Sequence, residues 1–326
     1  MPCSPACSSV NGQSIAPDGG QAYLGRAAAV YHPPATQGRG TMEYWLGIFH
    51  EDNSQLKDIA RAAERMGYTG IGLPDHVAMP KGYTAVHPSG ERHIEHDTCF
   101  PDTLISAATL LAVTERLRVM SYIYVLPMRE PFSVARQVAT LCEQSGHRFD
   151  FGVGAGWCED EFRIMGQDFH SRGARMDEML SVIRGFWEYG ELAHKGRFFD
   201  FPTVGMEPRP SRRVPVWVGG KSRTALARAA RHDGWLGMNY PMDEIRGLLA
   251  TLAEERRKYL DAGGIEHGNF RRFVIPIAMP STEVYGQLAD WGVDATVVMP
   301  WGVENPECAS LEAKLEAMQR FADTYL

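Results

Sequence analysis

The 326-residue chain has no apolar run approaching the roughly 18 to 20 residues that a bilayer-spanning helix needs, so a membrane span is unsupported. It has no surplus of positive charge either. Its 33 Lys and Arg stand against 40 Asp and Glu, a formal net charge of −7, which gives no sequence-wide attraction to nucleic acid or anionic lipid. A small molecule is the expected partner. The six cysteines (Cys3, Cys7, Cys99, Cys142, Cys158, Cys308) include no Cys-x-x-Cys pair and no dense framework, as expected of free thiols in a reducing compartment. A cytoplasmic location follows. Cys3 and Cys7 have no His or Cys cluster beside them, so no metal site is expected.

Residues Met1 to Thr41 are rich in Pro, Gly, Ser and Ala and lack both the basic start and the long apolar stretch of a secretory signal. They read as a disordered N-terminal extension. The first strand pattern begins at Met42, so Met42 is the expected native start, which the intact mass of the native protein checks; a terminus at Met1 would reject it.

From 42 to 326, short apolar runs alternate with segments of helical period, the pattern of repeated βα units on a parallel sheet. The runs are Tyr44 to Phe49, Gly70 to Leu73, Arg118 to Val125, Phe149 to Val153, Val214 to Val218, Gly234 to Met238, Arg272 to Ala278 and Ala295 to Met299. The helices between and after them are Ser54 to Met66, Pro101 to Thr114, Pro131 to Cys142, Arg172 to Tyr189, Ser222 to Arg231, Met242 to Ala262, Ser281 to Trp291 and Ser310 to Tyr325, several opening at Ser or Pro as helix N-termini prefer. Eight strands each followed by a helix predict one α/β domain, a (β/α)8 TIM barrel spanning 42–326. Three connections are too long for simple turns: Val77 to Phe100 after strand two, Cys158 to Ser171, and Gly190 to Arg213. Loops that follow strands lie at the catalytic face, so Val77 to Phe100 is expected in the site or its lid. Its Tyr83, His87, His93 and His96 suit a ligand, although each His taken alone reads first as a surface residue.

Asp75-His76 sits at the predicted end of strand two. There a His can donate or accept a proton beside a carboxylate that tunes it; the other reading is a pair that caps the following loop. Phe149 to Trp157 carries three alternating glycines (Gly152, Gly154, Gly156) where something approaches the backbone. The spacing lacks the third glycine of a dinucleotide fingerprint, and no acidic residue follows at the required distance, which disfavours a Rossmann site. Val214 to Ser222 places Gly219, Gly220, Lys221 and Ser222 between a strand and a helix. Such a turn cradles a phosphate with backbone amides, Lys221 or Arg223 neutralising it, or is a tight turn and no more; the Walker spacing is absent.

Taken in order, these segments resemble the bacterial-luciferase-like oxidoreductases: Gly72-Leu73-Pro74-Asp75-His76, Val125 to Gln137, Ser145-Gly146-His147-Arg148-Phe149, Gly152 to Trp157, Glu161-Phe162, Arg172-Gly173, Gly219-Gly220 and Asp233-Gly234-Trp235. The resemblance implies a barrel using flavin mononucleotide (FMN) or the 5-deazaflavin coenzyme F420. The Asp-His after strand two and the Leu-Pro-x-Arg-x-Pro segment are closer to the F420-dependent branch. It implies His76 as the acid/base or ring-stabilising group with Asp75 shaping its charge, and a non-proline cis peptide within Ser121-Tyr122-Ile123 against the ring. Gly154, Ala155, Gly219, Gly220, Lys221 and Ser222 complete the cofactor set. Trp157, Glu161 and the Val77 to Phe100 loop would line the substrate side, and a homodimer is implied. The chain departs from the family at His147, where a second glycine is usual, and at Asp160, where Asn is usual. Trp157 replaces the Glu of sugar-phosphate-oxidising relatives, which argues against that substrate. An FMN-dependent monooxygenase and a non-catalytic flavin- or deazaflavin-binding protein are the competing readings.

Overall fold

The computed structural model describes residues 42–302 and 305–326, apart from 50, 89, 91–93 and 267. The expected N-terminal extension with Cys3 and Cys7, and His93, lie outside the described residues. In chain order the elements are β1 (Glu43–Gly47), α1 (Leu56–Met66), β2 (Gly70–Leu73), α2 (Thr103–Ala112), β3 (Arg118–Ser121), β4 (Tyr124–Val125), α3 (Pro131–Gln144), β5 (Phe149–Gly154), α4 (Glu159–Ile164), α5 (Arg172–Tyr189), β6 (Glu191–Lys195), β7 (Asp200–Gly205), β8 (Val216–Gly219), α6 (Arg223–Ala229), β9 (Gly234–Tyr240), α7 (Met242–Asp261), β10 (Arg271–Pro276), α8 (Thr282–Asp290), β11 (Ala295–Val298) and α9 (Leu311–Tyr325).

The main sheet runs β3-β2-β1-β11-β10-β9-β8-β5-β4 and closes through β3 on β5, every ladder parallel. Since β3 and β4 form one interrupted stave, the protein is an eight-stave TIM barrel, as the alternating pattern predicts. The strand residues are buried on both faces, which is why they read as short continuous apolar runs. Two cores result. One lies between staves and helices, and the other fills the barrel with Trp45, Met120, Tyr122, Trp217, Leu236, Phe273, Ala295 and Val297. No described helix is long and apolar enough to cross a membrane.

Two of the long connections hold structure that period reading does not reveal. Cys158 to Ser171 contains the six-residue α4, and Gly190 to Arg213 contains the antiparallel β6–β7 hairpin. The hairpin's residues are mostly exposed or half-buried, so they supply no apolar run to read.

The third stave carries one extra residue. Met120 pairs with Asp150 and Tyr124 with Val153, so Ser121, Tyr122 and Ile123 face only Phe151 and Gly152. The Ser121 hydroxyl fills the broken ladder, donating to the Gly152 carbonyl at 2.8 Å and accepting from the Gly152 amide at 3.0 Å. The peptide between Tyr122 and Ile123 is cis, inside the segment the resemblance singles out. A Cβ on Gly152 would stand 2.1 Å from the Ser121 carbonyl oxygen, a backbone atom that has nowhere to go. Gly152→Ala is therefore expected to destabilise the barrel by about 1–3 kcal/mol, read as a lower urea midpoint. An unchanged midpoint would show that the stave tolerates the methyl.

His147, where the resemblance expects glycine, lies just past the end of α3 at Gln144. It and Gly146 both take left-handed conformations (φ 63° and 64°) just beyond α3. His147 is held there by Glu143 and by the Ser211 hydroxyl, each 2.9 Å from Nε2. A second glycine would adopt this turn without those contacts.

Candidate active site

His76 follows the end of β2, at the rim where all staves present their C-terminal ends. Its Nδ1 lies 2.8 Å from Glu161 Oε2, and the two side chains are only 8% and 1% exposed. Glu161 comes from the first turn of α4, 85 residues away in sequence. Its other oxygen, Oε1, accepts the backbone N–H groups of Val77 (2.5 Å) and Ala78 (3.1 Å). Burial pushes the Glu161 carboxyl up, but the hydrogen bond and charge of His76 and the two amides outweigh it, so its pKa is lowered. An ionised carboxylate is an acceptor only, so Nδ1 carries a proton, and whenever the imidazole is neutral Nε2 keeps the lone pair.

Asp75, expected to shape the charge of His76, makes its hydrogen bonds elsewhere and reaches the imidazole through charge. Oδ1 accepts from Arg129 Nη2 at 2.6 Å and Thr103 Oγ1 at 3.2 Å, and Oδ2 from the Val125 amide at 2.7 Å. It pins β2 to the chain just past the cis peptide. The cause is geometric, because successive residues leave an extended segment in opposite directions. Burial raises its pKa, partly offset by Arg129 and the Val125 amide.

Aromatic side chains wall the imidazole. Phe100 and Trp157 stand edge-on to it at 4.8 and 5.6 Å between ring centroids, and Phe49 packs on Phe100 at 5.8 Å. Trp157 also meets Tyr83 (5.8 Å) and His87 (5.0 Å) of the long loop, so that loop covers the site as its position predicts. Asp160 helps seat it, one carboxylate oxygen accepting from the amides of Thr84 (2.9 Å) and Ala85 (3.3 Å). His96 is exposed, away from this cluster of rings. Glu161, expected to line the substrate side, is buried and accepts from His76, Val77 and Ala78.

The proposed cofactor residues divide in two. Ser121 is spent on the ladder, and the Tyr122 hydroxyl donates to the Gly237 carbonyl at 2.7 Å across the barrel interior, so neither offers a polar group at the mouth. Ile123, Gly154 and Gly219 do converge there. A Cβ on Gly154 or Gly219 would meet the Ile123 side chain at 2.9 and 2.0 Å, so these two glycines make room for Ile123. With Met238 and Ile275, Ile123 rests on the interior core as an apolar floor. Ala155 is half-buried and packs against the core between staves and helices.

On the β8 side, Gly220 has φ +116° and its carbonyl accepts from Trp235 Nε1 at 2.8 Å. Ser222 caps α6 through the Ala225 amide, and Lys221 Nζ is 2.9 Å from Glu244. Arg223 is drawn outward to Glu254 and Glu255. Sequence reasoning missed Arg172. Its guanidinium lies over Phe169 and donates to the carbonyls of Gly156 (3.1 Å) and Phe169 (2.8 Å); among the described residues it makes no ion pair, though Glu159 acts on it through charge. An arginine opening the helix that follows a glycine-rich strand end was the available signal. Among the described residues no three His, Cys, Asp or Glu side chains are grouped to hold a metal ion, and Cys99, Cys142, Cys158 and Cys308 are free thiols.

Comparison with known proteins gives the following likenesses. The family model for luciferase-like monooxygenases matches residues 29–276. An uncharacterized protein of Mycobacterium tuberculosis (strain ATCC 25618 / H37Rv) is 32% identical over 274 residues, covering 82% of this chain and 93% of that protein. The FMNH2-dependent dimethylsulfone monooxygenase of Pseudomonas putida is 26% identical over 224 residues, 67% of this chain and 57% of the relative. The solved structure of coenzyme F420 dependent tetrahydromethanopterin reductase from Methanopyrus kandleri shares the fold, with a TM-score of 0.63 at 15% identity over 87% of this chain and 98% of its own.

Proposed function

Because the chain belongs to the luciferase-like monooxygenase family, whose members are flavin- or deazaflavin-dependent oxidoreductases, we propose that it moves a hydride between coenzyme F420 and a small organic substrate. His76 handles the accompanying proton. The observation that carries this reading is the buried His76–Glu161 pair, in which the other imidazole nitrogen has no hydrogen-bond partner among the described residues.

The residues present fit such a coenzyme. Ile123, Met238 and Ile275 give a flat ring an apolar floor, and the amides of the Gly219–Ser222 turn suit its phosphate. Arg172 supplies a cation that makes no ion pair with a carboxylate among the described residues, although Glu159 acts on it through charge, and Lys221, whose ammonium also lies 5.3 Å from the Tyr240 ring centroid, has a half-exposed ion pair that exchanges partners at little cost. The bound deazaflavin accepts or supplies the hydride. In the direction of substrate oxidation, a C–H bond of the substrate gives up its hydride, the substrate hydroxyl loses its proton to His76 Nε2, and a carbonyl forms; reduction returns both. Trp157 and Phe100 keep water from the imidazole, and the Val77 to Phe100 loop closes the substrate side.

FMN is the second reading, favoured by the Pseudomonas putida relative, which is FMNH2-dependent. Anaerobic titration of the purified protein with each coenzyme separates the two. Tight F420 binding with no FMN affinity is the expected result, and the reverse would replace this reading with the monooxygenase.

A further inference from the structure

Three N–H donors converge on the two oxygens of Glu161: the imidazole Nδ1–H on Oε2, and the Val77 and Ala78 amides on Oε1. Backbone amides are donors under all conditions, so Oε1 must be a bare oxygen. We infer that Glu161 is a positioning residue that sets the tautomer of His76, using the first turn of the covering loop to fix which of its own atoms faces the ring. The inference deepens the reading of His76 as the proton-handling group, and its catalytic consequence rests on that reading.

The loop makes the arrangement directional. In Glu161→Gln a single carbonyl oxygen and an NH2 group replace two equivalent oxygens. If the carbonyl faced the imidazole, the NH2 would point at the two amide donors, leaving both without this acceptor. With the carbonyl on Val77 and Ala78, the NH2 faces Nδ1 alone, and the ring satisfies it by moving its proton to Nε2. One tautomer change costs less than taking the acceptor away from two backbone donors. Glu161→Gln is therefore expected to reverse the imidazole, so that Nε2 donates and can no longer take up a proton from a substrate hydroxyl.

Asp160 provides the control. It is the neighbouring carboxylate on α4 and holds the same loop through Thr84 and Ala85, without touching the ring. Asp160→Asn removes a charge from the same turn and disturbs the same loop, but keeps an oxygen for those amides. It is expected to leave the His76 tautomer as in the wild type.

The test is two-bond 1H–15N correlation of full-length protein labelled with 15N-histidine, without coenzyme, at about pH 8.5, where an ordinary imidazole is neutral. His76 is assigned by its loss in His76→Gln. The expected pattern is a protonated Nδ1 and a lone-pair Nε2 in the wild type and in Asp160→Asn, exchanged in Glu161→Gln. With coenzyme bound, Glu161→Gln should also lower kcat for substrate oxidation by about 10²-fold or more, with the coenzyme dissociation constant unchanged. A wild-type ring protonated at Nε2 overturns the inference even if Glu161→Gln fails to fold, and so does a Glu161→Gln spectrum identical to wild type. If the tautomer exchanges while turnover of His76→Ala stays normal, the positioning stands and the proposed catalytic role of His76 falls.

Discussion

His76→Ala is expected to lower turnover by about 10²- to 10⁴-fold while coenzyme affinity stays close to that of the wild type. The separation arises because the surfaces that suit the coenzyme, the Ile123, Met238 and Ile275 floor and the Arg172 and Gly219–Ser222 region, do not depend on the imidazole. His76 meets the protein through Glu161 and through two edge-on aromatic rings. Truncation leaves Glu161 with both loop amides, so the covering loop keeps its first anchor. Anaerobic single-turnover kinetics with pre-bound coenzyme read the chemical step apart from binding. Turnover within threefold of wild type, with coenzyme still bound, would remove His76 from the chemistry and leave the barrel mouth without an assigned proton carrier.

The barrel was legible because its parallel staves are buried on both faces and therefore write themselves as apolar runs; all eight lie where the pattern puts them. The β6–β7 hairpin and α4 were not, being exposed or short, with too little buried surface to impose a period. His76 was visible from its place after a strand. Its true partner was not, because Glu161 approaches from another βα unit and nothing local records an 85-residue contact. Adjacency favoured Asp75 instead, yet adjacency along an extended chain turns side chains apart. The alternating glycines were legible as points of close approach, but what approaches Gly154 and Gly219 is the chain's own Ile123, lifted by the extra residue in the third stave.

Asp75→Ala is expected to cost about 3–5 kcal/mol of stability, far more than its removal from a proton relay would explain. The substitution strips the partner from Arg129 and leaves the Val125 amide and Thr103 hydroxyl without this acceptor, all where β2, α2 and the β4 segment join. Asp75→Ala/Arg129→Met should recover part of the loss, since replacing both members of a buried pair avoids a lone charge. Urea unfolding of the two variants measures this; a double variant no more stable than the single would show that Arg129 is not the reason. The pH dependence separates the two buried carboxylates by sign. The folded-state pKa of Asp75 is raised, mainly by burial, so its ionisation opposes folding: stability falls as pH rises from the ordinary aspartate value of 3.8 through the folded value. That of Glu161 is lowered, so its contribution is present above the ordinary glutamate value of 4.5 and is lost as pH falls through the folded value. Removing Asp75 should therefore abolish a stability loss on the alkaline side of 3.8, whereas Glu161→Gln should abolish one on the acid side of 4.5. Asp75 is thus hydrogen-bonded to Arg129, Thr103 and Val125, whereas His76 Nδ1 faces the Glu161 carboxylate from another βα unit.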